Sequence, residues 1–546
     1  AQAVVVLQRF SQIPSTKYGG NSRYCLNYNF DAGCQLEGFL NTPVINWELV
    51  WADVARDLSF VMTWGLIVIG VYLLSADLSK ETRRGTLNFL RMSPLPGRQV
   101  LLGKLMGVPV LLYLGVAAMI PLHLMTAVVG QYPLWLVLMF YGALSAIALC
   151  FYSASLWVAL LAKGLQGLQT WLMSALSFGI LMLSVVVEHT DLALDWFYFL
   201  NPANILLSWP VDGRADWRGM DDLGWFFTPL GSHRVWLWTF ALANAAMLSF
   251  WFWTVLERKF LMPANTSLGK QQSYGLTLCL SLLMMGFNLQ SFSVNGRYWT
   301  TMDALWSYLI TMLIWGVVLL FLLLPSKQML LDWTRYRHQQ PHPLNRARAQ
   351  QPDQPSADRR HSKQQSPRKR HSLLADLMYH DGSPFVFSYV VNMAIVFGVL
   401  LLGVSMGSVR GASSPDIMTA ILSWLFCGMV LVVCALALQW IVLSNLLHWR
   451  WVAFGSVATI VAGWPILLLM LGIEPYRDSA FSMLWLLTAF PHSVMWGAGW
   501  GELLTVMLSQ LTLISGLSMM LGRRCQLLGQ SEWKALMASG RVSSLP

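Results

Sequence analysis

The sequence predicts an all-α fold, a polytopic bundle of transmembrane helices, and three observations predict it. Of its 546 residues, 56% are hydrophobic and only 11% charged, less than half the roughly 25% charged residues of a soluble globular chain. Uncharged apolar runs recur along the chain, each near the ~20 residues that a helix needs to cross the hydrocarbon core. The basic residues gather in alternate connecting segments, as the retention of Lys and Arg on the cytoplasmic side requires. Barrel strands would instead show short segments of alternating polarity. A cytoplasmic enzyme, a disordered protein, a disulfide-rich secreted module and a nucleic-acid binder are all excluded.

Eleven windows lack Lys, Arg, Asp and Glu: 58–75, 105–126, 134–162, 168–187, 235–256, 274–291, 304–325, 385–409, 417–447, 451–472 and 503–522. Ahead of them, Ala1–Leu7 is apolar but too short to cross, and reads as the stub of a truncated first span. With loop 9–57 outside and the chain alternating from there, 26 of 36 basic residues and 9 of 26 acidic ones fall inside. The two faces then carry +17 and −7. The net charge of +10 is a sign of topology, not of nucleic-acid binding. Residues 481–501 are uncharged and long enough to span, but crossing there would put Arg523, Arg524, Lys534 and Arg541 outside. They are expected to form a broken helix at the outer interface, interrupted by Pro491 and three glycines.

The layout repeats. Span 168–187 leads outward to FYFLNPANILLSWP (197–210) and back through 235–256; span 451–472 leads to LWLLTAFPHSVMWGAG (484–499) and back through 503–522. Ser93-Pro94 and Ser383-Pro384 stand just before corresponding spans. Counting the stub, this gives two six-helix halves, a form of duplication common in transporters. The expected domains are a first half over 1–260, two spans over 261–332, a linker at 333–372, the remainder over 373–522 and a cytoplasmic tail at 523–546. The stretch 338–371 is rich in Gln, Pro, Arg and His without an apolar run, so a basic, disordered cytoplasmic linker is expected. Arg368-Lys369-Arg370 could tether it to anionic lipid, but a merely solvated linker is the plainer reading.

The most informative stretch is 77–104, DLSKETRRGTLNFLRMSPLPGRQVLLGK. Thr86 is placed to cap a short helix with Leu87, Phe89 and Leu90 on a partly apolar face, and Ser93-Pro94 ends it. A second helix begins near Pro96 and enters the membrane. The whole is a short amphipathic helix lying along the cytoplasmic surface between two spans, well placed to pass force from a soluble partner.

Here the chain resembles the type-2 ATP-binding-cassette (ABC) permeases, in particular the long two-halved permeases of cyanobacteria. The resemblance is strongest over roughly 47–260, and it rests on Glu81, Gly85, Thr86, Leu87, Leu90, Ser93, Pro94, Leu95, Leu102, Gly103 and Lys104, with NPANIL at 201–206. It implies that this segment, Arg83 and Arg84 included, is a coupling helix seated in a nucleotide-binding subunit, and that Asn201 and Pro202 form an outer-face motif matched by Pro491. The second half keeps LLADLMYHDGSPF (373–385) at the equivalent place, with Leu374, Leu377, Ser383 and Pro384, but lacks the acid-Arg-Gly-Thr-Leu run. The family's leading amphipathic helix is not seen. No GxxxxGK[ST] loop occurs, since Gly269-Lys270 is followed by Gln271, so ATP hydrolysis is expected of a separate subunit carrying Mg-ATP. The chain is expected to be no enzyme and to hold no cofactor or metal. Its partners would be that ATPase and membrane lipids, or a larger membrane complex, in a bacterial plasma membrane or a thylakoid membrane.

Other residues carry less. Cys25 and Cys34 share the outer loop, where an oxidising compartment allows a bridge, with two free thiols as the alternative. Cys150, Cys279, Cys427 and Cys434 fall within spans and suit packing. Glu188, His189, Asp191 and His233 could be imagined as metal ligands, and His492 with Glu502 as an acid/base pair, but solvated loop residues are the plainer reading. The windows hold no carboxylate, which disfavours a proton relay. Tryptophans near span ends form an aromatic belt, and Pro109, Pro121 and Pro465 imply kinks. The expected function is the permease subunit of an ATP-driven exporter of a lipid, glycan-lipid or other amphiphile; the alternative is a membrane scaffold or assembly subunit that keeps the fold without transport.

Overall fold

A computed structural model describes residues 2–15, 22–26, 34–37, 42–161, 167–186, 192–209, 223–289, 301–339, 373–408, 414–444, 446, 448–475, 481–495 and 497–529. These described residues are about 82% helical. Ten helices among the described residues are long and apolar enough to cross a membrane, as in an integral multi-pass membrane protein. The chain divides into two compact units, 1–263 with 286–297, and 264–285 with 298–546.

In the first unit, α1 (Gln2–Phe10) packs Val5 against Val54 and Leu58. Those belong to α2 (Trp47–Trp64), which continues through a π-helical turn, Gly65–Ile69, into α3 (Gly70–Arg84) as one 38-residue helix. This helix begins well before residue 58, where the uncharged window opens. Asn46 caps it, its side chain accepting from the Leu49 N–H at 3.2 Å, and residues 47–57 are helix where the sequence reading has outer loop. A window defined by the absence of charge misses them because Glu48, Asp53, Arg56 and Asp57 stand in this first stretch.

The π turn is held from two sides: Tyr152 Oη donates to Leu66 O at 2.7 Å and Ser174 Oγ to Val68 O at 3.1 Å. Gly70 leaves the room this needs, since a Cβ there would lie 2.1 Å from the Tyr152 hydroxyl. Next come α4 (Thr86–Met92), α5 (Gly97–Gly107) and α6 (Val110–Val129). Pro109 separates the last two, and Tyr113 Oη donates at 2.8 Å to the carbonyl of Leu105, whose helical partner would be the N–H that Pro109 lacks.

The centre of this unit is α7 (Leu134–Leu161), packed on α3, on α8 (Leu168–Val186) and on α10 (Arg234–Leu261). Between α8 and α10 the chain makes a 3₁₀ turn (Ala193–Leu200) and the one-turn α9 (Asn204–Leu207). Two minimal antiparallel pairs complete the unit: β1 (Leu36–Glu37) with β2 (Thr42–Pro43), and β3 (Gly224–Trp225) with β4 (Thr228–Pro229).

The second unit opens with α11 (Lys270–Leu289), whose residues from Gly286 on are assigned to the first; it is too polar to count among the ten, although it covers the window from 274. Its Ser273 and Thr277 are bonded within the unit. Thr277 Oγ1 donates to Asn392 Oδ1 at 2.7 Å, Asn392 Nδ2 to Ser273 Oγ at 2.9 Å, and Trp315 Nε1 to Thr277 Oγ1 at 3.1 Å. The order continues with α12 (Thr301–Leu323), α13 (Lys327–Gln339), α14 (Leu373–Tyr379), α15 (Val386–Ser408) and α16 (Ser414–Leu443). Helix α17 (Trp449–Ala458) runs through a π turn, Thr459–Gly463, into α18 (Trp464–Met470).

Residues 481–501 are not one helix. They form a 3₁₀ turn (Ser482–Leu487) and the one-turn α19 (His492–Met495), separated at Pro491, before α20 (Trp500–Gly529). Helix α16 lies at the centre, against α12, α15, α17 and α20. The span window is 56% buried in α16 and 17% in α20, so α16 is an interior helix and α20 a peripheral one. The linker segment 340–372 lies outside the described residues.

Candidate functional site

Helix α3 ends at Gly85, whose left-handed backbone (φ 77°) lets the chain turn at once into α4. The helix cap expected of Thr86 is therefore absent: Thr86 is already helical, and its hydroxyl donates back to Glu81 O at 3.3 Å. Ser93 is extended (φ −65°, ψ 152°) and ends α4 before Pro94, as the sequence predicts. The apolar face expected of Leu87, Phe89 and Leu90 divides in two. Residues two apart point some 200° apart around a helix, so Leu87 is buried, Leu90 half-buried beside it, and Phe89 faces out at 74% exposure with Met92. Phe89, Met92 and Leu95 form an exposed apolar row, with Arg83 and Arg84 exposed at the entry to α4.

The inner side of this segment is fastened to the spans. Lys104 Nζ on α5 lies 2.7 Å from both Asp77 Oδ2 and Glu81 Oε1 on α3. Arg91 Nε donates to Phe260 O at 2.6 Å and its guanidinium lies over the Phe260 ring, while Arg98 pairs with Glu257 at 2.7 Å. Helix α4 is thus tied to α3 through Thr86 and to α10 through Arg91, while α5 is tied to α3 and to α10, leaving one apolar row free.

The second segment is built on different chemistry. Lys270, at the start of α11 and 3% exposed, donates its Nζ to Leu377 O at 2.9 Å, Pro384 O at 3.1 Å and the Ser383 hydroxyl. Its backbone N–H bonds Asp381 Oδ1 at 3.0 Å, and Tyr274 Oη donates to Met378 O at 2.9 Å. Burial pushes the Lys270 ammonium down to about 8, against the pull of Asp381 and Asp376. Leu373, Leu374 and Tyr379 face outward, while Leu377 is half-buried and Ser383 fully buried.

The Asn201-Pro202 motif is a staple. Asn201 and Asn204 are fully buried. Asn201 Oδ1 accepts from the Ala203 N–H at 3.1 Å, and Asn204 Nδ2 donates to Tyr198 O at 3.0 Å and Ser184 O at 3.4 Å. Together they fold the turn at Pro202 back onto the end of α8. Pro491 stands between the 3₁₀ turn and α19 of the second unit, where His492 packs on Trp306 and Phe490, and Glu502 accepts from the Gly499 N–H at 3.2 Å. Glu188, His189 and Asp191 lie outside the described residues.

Two clusters escape the sequence reading. Asp53, 3% exposed, is met by Arg56 Nη1 at 3.1 Å, Tyr24 Oη at 3.0 Å, Arg23 at 3.6 Å and Arg9 at 3.8 Å, while Arg9 also pairs bidentately with Asp57. The hydrogen bond to Asp57 raises the Arg9 pKa, and burial, with Asp53 next in weight, pushes Tyr24 up to about 12. Cys25 and Cys34 form a disulfide beside this cluster, with Cα atoms 5.4 Å apart. The i, i+3 and i+4 spacing of Asp53, Arg56 and Asp57 is the signal that a helix reading of 47–57 would have used. The other cluster is His123, buried inside α6 between Ser59 Oγ (2.9 Å) and Tyr141 Oη (2.7 Å). Ser59 donates its own proton to Ala55 O, so His123 carries the proton on Nε2 and accepts from Tyr141 on Nδ1. Comparison of the chain with protein-family models, curated proteins and solved structures gives no match.

Proposed function

We propose that this chain is the membrane-spanning permease subunit of an ATP-driven exporter, with α4 as the element on which a separate ATPase subunit docks. The observation that carries the reading is the geometry of α4: a seven-residue helix between two spans, fastened on its inner side and presenting Phe89, Met92 and Leu95 outward beside Arg83 and Arg84. A helix fixed to α3 and α10 moves with them, so force applied to its free row reaches both helices without being lost in a loose loop. In this reading Arg83, Arg84 and the free row are cytoplasmic, ATP with its magnesium is held by the partner, and the two units act as two six-helix halves in a bacterial plasma or thylakoid membrane. The apolar interior suits an amphiphilic cargo such as a lipid or glycan-lipid.

A second reading, a membrane scaffold or assembly subunit without transport, is favoured by one observation. The segment 373–385 is pinned by Lys270 to the start of α11 and lacks the acid-Arg-Gly-Thr-Leu run that leads into α4. Affinity purification of the whole chain from its native membrane separates the two readings. An ATP-binding subunit is expected to copurify, and the double change Phe89→Asp and Met92→Asp is expected to release it while the chain still inserts. Copurification undiminished in that variant would refute docking through this row, and no ATPase with the unmodified chain would favour the scaffold.

A further inference from the structure

The second unit contains an apolar groove of about 930 Å³ between α13, α14, α15, α16 and α20. Its walls include Phe387, Val390, Val432, Leu436, Ile514 and Leu521, all from helices long and apolar enough to cross a membrane. The volume lies near the top of the roughly 300–1,000 Å³ usual for a small-molecule site. We propose that this groove holds a hydrocarbon chain of an anionic membrane lipid, with the lipid head group at Arg335 and Arg523.

Three observations lead to this occupant. An apolar groove of this size is poorly filled by water, because its walls offer few polar partners and apolar surface left wet is unfavourable; among hydrocarbon-spanning helices the nearest apolar filler is a lipid chain. The chain's own linker cannot supply one: it joins two helices that line the groove, yet in 338–371 Leu344 is the only large apolar residue. The third observation is charge. Arg335 follows the lining residue Thr334 on α13, and Arg523 follows the lining residue Gly522 on α20. Both arginines are exposed, and their two helices pack on each other. Asp332 stands on the same helix as Arg335, so the two arginines together leave a net positive charge. The carboxylate of Asp376 on α14 is engaged electrostatically by Lys270. Two exposed guanidiniums on packed helices suit a phosphate, which an arginine meets with forked, charge-assisted hydrogen bonds. The proposal does not depend on transport, since a permease and a scaffold could equally hold such a lipid.

The test is native mass spectrometry of the full chain, delipidated in mild detergent and then given phosphatidylglycerol or phosphatidylcholine at equal concentration. Phosphatidylglycerol is expected to be retained at least tenfold better. The surface change Arg335→Ala with Arg523→Ala is expected to bring its retention down to that of phosphatidylcholine, and Ile514→Trp, which fills the groove, to lower retention of both lipids. Equal retention of the two lipids, or phosphatidylglycerol retention unmoved by the arginine changes, would overturn the head-group assignment. Undiminished retention in Ile514→Trp would overturn the groove. If Ile514→Trp does not elute as a single folded species, Ser518→Trp, on the same wall, decides in its place.

Discussion

Lys270 shows how one buried cation organises a segment that its own sequence would leave loose. Its ammonium replaces lost water with two backbone carbonyls and a hydroxyl, which is the condition for burying a charge. Lys270→Met keeps the length but removes every side-chain donor, and is expected to cost about 1–3 kcal/mol. The loss should appear as faster hydrogen exchange confined to 373–385; unchanged exchange there would mean that the ammonium holds nothing. His492 is set the opposite way. Burial pushes it down to about 3, so it stays neutral when folded, whereas unfolded it titrates near 6.5. The unfolded chain then binds the extra proton below that value, so stability is full above pH ~6.5 and falls as pH drops toward 3. Thermal unfolding of the purified chain between pH 7 and pH 5 checks this, and His492→Phe should flatten the slope relative to the unmodified chain.

The long helix from Trp47 to Arg84 joins the buried Asp53 cluster at one end to α4 at the other. Its π turn is where it can change shape most cheaply, since such turns interrupt the regular hydrogen-bond ladder. Here the turn is gripped by hydroxyls from α7 and α8, with Gly70 cut away to admit Tyr152. Tyr152→Phe removes one grip and is expected to cost about 0.5–1.5 kcal/mol. Gly70→Ala forces the ring aside, at about 1–3 kcal/mol for an overpacked site. Both are read by thermal unfolding in detergent, and Gly70→Ala should be the larger. The reverse order would mean that the ring has somewhere else to go.

At the scale of the whole molecule, the charge asymmetry makes one prediction about sidedness. Basic segments 77–104 and 326–384 belong on the same face of the membrane, opposite the disulfide of Cys25 and Cys34. Trypsin acting on sealed vesicles from the outer face should leave the chain intact between Arg346 and Arg370, while trypsin admitted to the inner face should separate the two units there. Cleavage from outside alone would invert the orientation.

The sequence by itself determined the membrane class, the places of ten apolar helices and the breaks at Ser93-Pro94 and Pro491. Each depends on composition over some 20 residues or on the backbone limits of proline, and neither needs a distant partner. Only the tertiary structure decided which row of α4 is free, because Arg91 is bonded to Phe260, 169 residues away, with Leu87 buried one turn before it, and the helical angle then turns Phe89 and Met92 outward. The same holds for the anchoring of 373–385, which rests on Lys270, at sequence separations of 107 to 114. The helix start at Trp47 was hidden for a related reason. Asp53 and Arg56 look like loop charges in sequence, and they are tolerable in a buried helix only because each other's charge, Tyr24 and Arg9 meet them there.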